Sequence, residues 1–391
     1  MNDDFYRIRR LPPYVIAEVN AMRHAARAGG EDVIDLGMGN PDRPPPDFVI
    51  DKLCEVARKP SAHGYSQSRG IPGLRKAQAG YYQRRFDVEL DPETEIVVTL
   101  GSKEGLGSLA TAITAPGDVV LAPDPSYPIH TFGFLIAGAT IRAVPTTADD
   151  EYWRALDNAI SHTVPRPTVL VVNYPSNPTA EVVDAAFYQR LVDWAKENRV
   201  WVLSDLAYTE LYYDGNPTPS IMQAKGAKDV AVEFTTLSKT YSMAGWRMGF
   251  AVGNHQLIAA LTRVKSYLDY GAFTPIQAAS AAALNHGDDY AAETRAIYHK
   301  RRDVLVESFS RAGWDVPPPP ASMFAWSPLP EKYRDMGSLE FSKLLLKEAK
   351  IAVAPGVGYG ERGEGFVRIA MVENEQRIRQ AARNLKAFLA S

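Results

Sequence analysis

Five apolar runs mark the first two-thirds of the chain: EIVVTL, DVVLAP, PTVLVVNYP, RVWVLSDLAY and DVAVEFTTLS. Segments of helical period alternate with them, including GSKEGLGSLATAI after the first and residues 184–198 after the third. Near-continuous apolar strands between helices predict a largely parallel α/β sheet covered on both faces. Ligands of such sheets gather beyond the carboxyl ends of the strands, so the residues that close each run are the candidates for chemistry.

After about residue 285 the pattern changes. A long charged helix over ETRAIYHKRRDVLVESFSRAG, a proline break at 317–320 and short strands near SMFAWSPL, KIAVAPG and GFVRIAM predict a smaller α+β unit. Its closing helix sets Ile378, Ala381, Ala382, Leu385, Phe388 and Leu389 on one stripe, which is a packing face. Polar breaks in the first forty residues suggest an arm and linker. A chain of 391 residues exceeds the roughly 250–300 at which one core stops growing. The expected division is an arm over 1–40 that belongs with the small domain, a large cofactor-binding domain over 41–284, and a small domain over 285–391.

Composition narrows the function more than the fold. The net charge of -3, from 43 basic and 46 acidic residues, leaves no electrostatic footprint for nucleic acid or an anionic membrane. No run approaches the ~20 apolar residues of a membrane span, and the start has no secretory pattern. Cytoplasmic residence and small-molecule partners are therefore expected, with no nucleic acid, membrane or metal. The sole cysteine, Cys54, sits beside Val49, Leu53 and Ala57 and reads as a helix core residue rather than a nucleophile.

The richest segment is 235–247, TTLSKTYSMAGWR, directly after the run DVAVEF. A lone lysine after a strand is usually solvated surface. Lys239, however, lies among Thr236, Ser238 and other hydroxyls, with Arg247 eight positions on. A phosphate-bearing aldehyde needs that set: an amine to condense with it, and hydroxyls with a guanidinium for its dianion. Asp205 closes RVWVLSD, where a turn cap is the simpler reading of an aspartate taken alone. Tyr208 three residues later and Asn177 in the PSNPT loop shift the balance, since together the three supply a carboxylate for a pyridinium nitrogen and donors for a phenolate oxygen. Gly101, Ser102 and Lys103 open a helix after EIVVTL, a weak motif whose free amides suit a phosphate. Tyr127 in DPSYP reads equally as a stacking aromatic or a packed loop residue. Arg368 in GFVRIAM alternates with Val367 and Ile369, and strand logic alone makes it an exposed edge residue.

In this order and spacing, NPT at 177–179, Asp205 with Tyr208, and SKTYSMAGWRMG at 238–249 resemble the fold-type I, class I and II aminotransferases over essentially the whole chain. Within that family the segments LPPYV, DLGMGNPD, HGYSQSRGIPGLR, PSYPIH and KSYLDYGAFTPIQ resemble bacterial glutamate–pyruvate (alanine) transaminases. The resemblance implies a large domain with a mostly parallel seven-stranded sheet and a smaller α+β domain. It also implies pyridoxal 5′-phosphate held by Lys239 as a Schiff base, Asp205 on the ring nitrogen, and Asn177 and Tyr208 on the ring oxygen. Gly101, Ser102, Lys103, Thr236, Ser238 and Arg247 fall where the family binds phosphate, Lys103 mainly through its backbone, and Tyr127 where an aromatic stacks on the ring. Tyr65 falls where a tyrosine reaches the phosphate of a neighbouring subunit, which implies a homodimer with shared sites. Arg368 and Gly39 fall on the substrate α-carboxylate, with Asn177 nearby and Tyr14 at the entrance. The implied reaction is a ping-pong amino transfer between amino acids and 2-oxo acids, expected to be L-alanine/pyruvate with L-glutamate/2-oxoglutarate. Aminotransfer with aspartate, aromatic or diaminopimelate substrates, and β-lyase chemistry, share this fold and stay open. A cofactor-sensing regulator is disfavoured, because about forty residues before GNPD are too few for a DNA-binding domain.

Overall fold

The computed structural model describes residues 5–390, the side chain of Tyr6 excepted. Twelve strands occur among these residues. In chain order they are β1 (Ile34–Asp35), β2 (Ile96–Thr99), β3 (Val119–Asp124), β4 (Thr140–Pro145), β5 (Val169–Asn173) and β6 (Trp201–Asp205), then β7 (Ala231–Thr236), β8 (Gly249–Gly253), β9 (Phe324–Pro328), β10 (Ile351–Ala352), β11 (Ala354–Pro355) and β12 (Phe366–Ala370).

Seven of them form one sheet in the order β2-β8-β7-β6-β5-β3-β4. Only β8 runs against the others, pairing antiparallel with both β2 and β7. The five apolar runs became β2, β3, β5, β6 and β7. The other two strands carry weaker signals: β4 is a partly exposed edge containing Thr140 and Arg142, and β8 is bracketed by glycines. Alternation along each strand buries a row of side chains on each face of the sheet. Val98, Leu170, Val172 and Val202 pack on one face, while Val97, Val169, Val171 and Leu203 pack on the other. Helices cover both faces, so neither row of side chains meets water.

A second hydrophobic core forms around the three-stranded antiparallel sheet β11-β12-β9. Phe324, Val367 and Ile369 pack there against Leu345 of the helix Ser338–Ala349 and against Ile378 and Leu385 of the closing helix Glu375–Ala390. β12 is the middle strand, which overturns the edge reading of Arg368: the residue is only 6% exposed. Pairing on both sides, invisible in the strand's own alternation, decides this.

One other expectation gains local detail and one is corrected. The stretch read as arm and linker contains a 14-residue helix, Val15–Ala28. Its Val19 packs with Val33, Leu346 and Ala352, and its buried Arg23 pairs with Asp35, so tertiary contacts supply what the polar pattern withheld. Cys54 is exposed rather than core. The inward face of the helix Asp47–Ala57 is carried by Val49, Leu53 and Val56 at spacings of four and three, and Cys54 is rotated off that stripe. No helix among the described residues is long and apolar enough to cross a membrane.

Candidate active site

The carboxyl ends of β5, β6 and β7 open into one cavity of about 230 Å³. β5 delivers Asn173 and Asn177, β6 delivers Asp205 and Tyr208, and β7 delivers Thr236, Ser238 and Lys239. The helix Ser102–Ile113 brings Ser102 and Lys103, and β12 brings Arg368 from the second core. Tyr14, Gly39, Tyr127 and Arg247 complete the set expected from the sequence. Gly101 lies just behind, at the helix start. Tyr65 alone is elsewhere: it is 90% exposed, and its ring sits 4.7 Å from that of Tyr270.

Lys239 projects from the single-turn helix Leu237–Thr240. Thr236 caps this turn, its hydroxyl accepting from the Ser238 amide at 3.2 Å. The Lys239 Nζ donates to the Gly39 carbonyl at 2.6 Å. Burial, and then the nearby Arg368 and Arg247 charges, lower its pKa from the usual lysine value to about 8. That amine is far closer to the neutral, nucleophilic form than a surface lysine.

Asp205 is not a turn cap. One carboxylate oxygen accepts from the Nε2 of buried His130 at 2.9 Å, and the other, Oδ1, has no partner among the described residues. A buried carboxylate that lines a cavity with one oxygen unpartnered suits a cationic or N–H partner. Asn173 ties the neighbouring strand ends together, donating to the Asp205 carbonyl at 2.7 Å and accepting from the Asn177 amide at 2.8 Å. Asn177 reaches the Tyr208 hydroxyl at 3.5 Å. Burial raises the Tyr208 pKa, more than the adjacent Arg368 lowers it, so its hydroxyl stays protonated and able to donate.

Arg368 is fixed by its donors and by its faces. Nη1 donates to Asn177 Oδ1 at 2.9 Å and Nη2 to the Gly37 carbonyl at 2.8 Å, while Nε is buried without a partner among the described residues. The guanidinium lies 3.9 Å from the Phe324 ring centroid and 5.0 Å from that of Tyr359. A planar fork held this way suits a carboxylate.

An anion cradle forms at the other end of the cavity. Gly101 precedes the first turn of the helix Ser102–Ile113 with φ +86°, and a Cβ there would lie 2.3 Å from Arg247 Nη2. A Cβ on Gly249 would lie 2.7 Å from the Ser102 amide. Both glycines thus keep backbone amides and a guanidinium close together, with the Thr236 and Ser238 hydroxyls 2.9 Å apart beside them. The Lys103 Nζ lies 5.5 Å from the Tyr127 ring centroid, on the cavity wall.

His130, Asn173, Phe324 and Tyr359 were not expected from the sequence. Signals existed for Asn173, which closes β5, and for His130, one helical turn after Tyr127 in PSYPIH; the Tyr127 and His130 rings meet edge to face, 6.0 Å apart. The others are long-range neighbours that no local pattern announces. No group of three or more His, Cys, Asp or Glu side chains suited to a metal occurs among the described residues.

A buried nucleophilic amine, a carboxylate with one unpartnered oxygen and an anion cradle around one cavity are the equipment of a group-transfer enzyme. The family "Aminotransferase class I and II" matches residues 31–385, and the chain belongs to it. AatC of Rhizobium meliloti (strain 1021) is 61% identical over 389 residues, spanning 100% of this chain and 96% of that protein. The glutamate-pyruvate aminotransferase AlaC of Escherichia coli (strain K12) is 52% identical over 384 residues, spanning 98% and 93%. Among solved structures, the substrate-bound BacF structure from Bacillus subtillis superposes with a TM-score of 0.92 at 31% identity, covering 99% and 98% of the two chains. The fold is that of the fold-type I pyridoxal-phosphate enzymes, with the mostly parallel seven-stranded sheet the sequence implied.

Proposed function

We propose that this chain is a pyridoxal 5′-phosphate-dependent glutamate–pyruvate aminotransferase. It moves the amino group of L-glutamate to pyruvate, giving 2-oxoglutarate and L-alanine, and runs in reverse equally. The observation that carries the reading is the 52% identity to AlaC over nearly the full length of both chains. It is supported by Lys239, an amine with its pKa lowered to about 8 that lines one cavity together with Asp205 and the anion cradle.

The residues present fit the cofactor. Lys239 would hold its aldehyde carbon, Asp205 its ring nitrogen, and Asn177 and Tyr208 its ring oxygen, with Tyr127 against the ring face. Gly101, Ser102, Lys103, Thr236, Ser238 and Arg247 would hold the phosphate. When bound, the cofactor supplies a carbonyl that takes up the amino group and a ring that spreads the electron pair left at the substrate Cα. The protein does the rest. Arg368 and the Gly39 backbone orient the α-carboxylate, with Asn177 bridging both groups of residues and Tyr14 at the cavity mouth. Lys239, once released, is the base that removes the Cα proton and returns it on the far side of the transfer. His130 fixes the Asp205 carboxylate so that its negative charge stays directed at the cavity.

The acting unit is a cytoplasmic homodimer in which Tyr65 of one copy completes the phosphate site of the other. The dimer reading is supported by the 90% exposure of Tyr65, whose ring meets that of the exposed Tyr270, with Tyr267, Leu268 and Phe273 exposed in the same stretch of chain. The division into an arm over 1–40, a large domain over 41–284 and a small domain over 285–391 belongs to the same reading. Borohydride treatment of the yellow holoenzyme tests the assignment. The reduced label is expected on the peptide containing Lys239, and label on another lysine overturns it.

A further inference from the structure

Lys265 has no exposed surface, yet it carries an ammonium. Its Nζ sits between two carboxylates, 2.8 Å from Asp269 Oδ2 and 3.3 Å from Glu104 Oε2. A buried cation requires such partners, but the partners here lie on two pieces that bear on the candidate phosphate site.

Glu104 stands in the first turn of the helix behind the anion cradle. Its Oε2 also accepts from the Leu100 amide at 2.8 Å, and its Oε1 accepts from the Ser108 hydroxyl at 2.8 Å. The Leu100 carbonyl in turn accepts from Arg247 Nη2 at 3.4 Å. The residue immediately before Gly101 is thus gripped on one side by a carboxylate anchored to Lys265 and on the other by the cradle's own guanidinium.

Asp269 faces the opposite way. Its Oδ1 accepts from the Gly271 amide at 2.7 Å, and its carbonyl accepts from the Ser68 hydroxyl. Gly271, with φ +80°, touches the Gln67 backbone so closely that a Cβ would lie 2.2 Å from the Gln67 carbonyl oxygen. The Tyr270 ring packs at a tilt against that of Tyr65, 4.7 Å between centroids. One ammonium therefore joins the turn that holds the Tyr65 loop to the helix that carries the cradle.

We propose that Lys265 is a positioning residue for phosphate binding, holding the Gly101–Lys103 cradle and the Tyr65 loop in a fixed relation through Glu104 and Asp269. This rests on the phosphate reading of the cradle given above. A neutral side chain at 265 leaves two carboxylates facing each other without a counter-ion; Glu104 then loses its anchor and the Leu100 turn its register.

The test compares pyridoxal 5′-phosphate with pyridoxal, which lacks the phosphate. Holoenzyme is stripped of cofactor and titrated with each by absorbance. Lys265→Met is expected to reduce the preference for the phosphorylated form by about tenfold or more while pyridoxal affinity changes little, and Lys265→Arg to stay within about threefold of the parent. Glu104→Gln and Asp269→Asn should each lower the same ratio, and they carry the comparison if Lys265→Met does not fold. A merely structural role would weaken both ligands together, so an unchanged ratio in these variants overturns the proposal. A parent protein with no preference for the phosphorylated form would instead overturn the phosphate reading beneath it.

Discussion

His130 Nε2 donates to Asp205 across 2.9 Å in a fully buried pair, with the Tyr127 ring set edge-on beside the imidazole. A carboxylate only accepts, so the imidazole must carry its proton on the nitrogen that faces Asp205. The other carboxylate oxygen has no partner among the described residues.

His130→Ala should therefore keep the fold and bind cofactor but lower kcat. A hydrogen bond to a charged group contributes about 1.5–3 kcal/mol, so the loss should be roughly 10–100-fold. His130→Gln, which retains a donor, should recover part of it. Steady-state rates normalised to bound cofactor decide the matter, and a parental kcat in His130→Ala would make the contact incidental.

Lys239 sets a pH dependence whose direction can be worked out. Its folded pKa, about 8, lies below the value in the unfolded chain, so in the stripped protein the neutral amine is favoured by folding. Aldehyde capture, which needs that neutral form, should rise as pH passes through about 8. Between there and the usual lysine value the unfolded chain holds more protons, so this residue's contribution to stability grows with pH over that window. Arg368→Gln removes a nearby positive charge and should move the capture midpoint upward. Stopped-flow reconstitution at several pH values measures it; a midpoint above 10 would mean that Lys239 is solvated.

How far the site could be read in advance follows from which interactions are local. Lys239, Arg247, Thr236 and Ser238 share one thirteen-residue segment, Asp205 ends an apolar run, and Asn177 lies in the loop just beyond another, so strand-end logic finds them. Arg368 was misjudged because its burial depends on β11 and β9, which pair with β12 from distant parts of the chain. His130 was missed because its partner is 75 residues away. The sheet was legible in its centre, where both faces are apolar. At β4, and at the helix Val15–Ala28, tertiary contacts outweigh a weak pattern.

Gly101→Ala tests the cradle directly. The added methyl meets both a left-handed backbone angle, which strains the turn, and the Arg247 guanidinium, which must leave its place in the cradle. Affinity for pyridoxal 5′-phosphate should fall by at least about tenfold while the melting temperature of the stripped protein drops only modestly. Titration of the variant with and without added inorganic phosphate would show whether competition by phosphate is lost with it.

Sharing of sites predicts a pattern that no monomer can give. In a mixed dimer of Tyr65→Phe and Lys239→Ala chains, the site that keeps Lys239 receives its Tyr65 from the Lys239→Ala chain and is intact. The other site carries both lesions. Cofactor bound by the mixed dimer should then be held as tightly as in the parent, at one site per dimer. Weakened binding at the Lys239-containing site would show that each chain uses its own Tyr65.

Substrate choice is the most demanding test, since the fold is shared with enzymes of other specificities. Glutamate and alanine differ by a whole side chain, yet both present an α-carboxylate, and the fork of Arg368 between Asn177 and Gly37 is placed to meet it. Arg368→Lys replaces two parallel donors by one point charge, so kcat/KM should fall for glutamate and alanine alike, with their ratio nearly preserved. A residue that recognised the side chain would change that ratio instead. Discrimination by shape alone gives about 1–3 kcal/mol per methylene, so other small amino acids should show weak activity. In a panel of donors against pyruvate and 2-oxoglutarate, alanine and glutamate should lead. If aspartate, an aromatic donor or LL-diaminopimelate exceeds alanine by about tenfold, some 1.4 kcal/mol of specificity, the glutamate–pyruvate assignment falls and the aminotransferase family assignment stands.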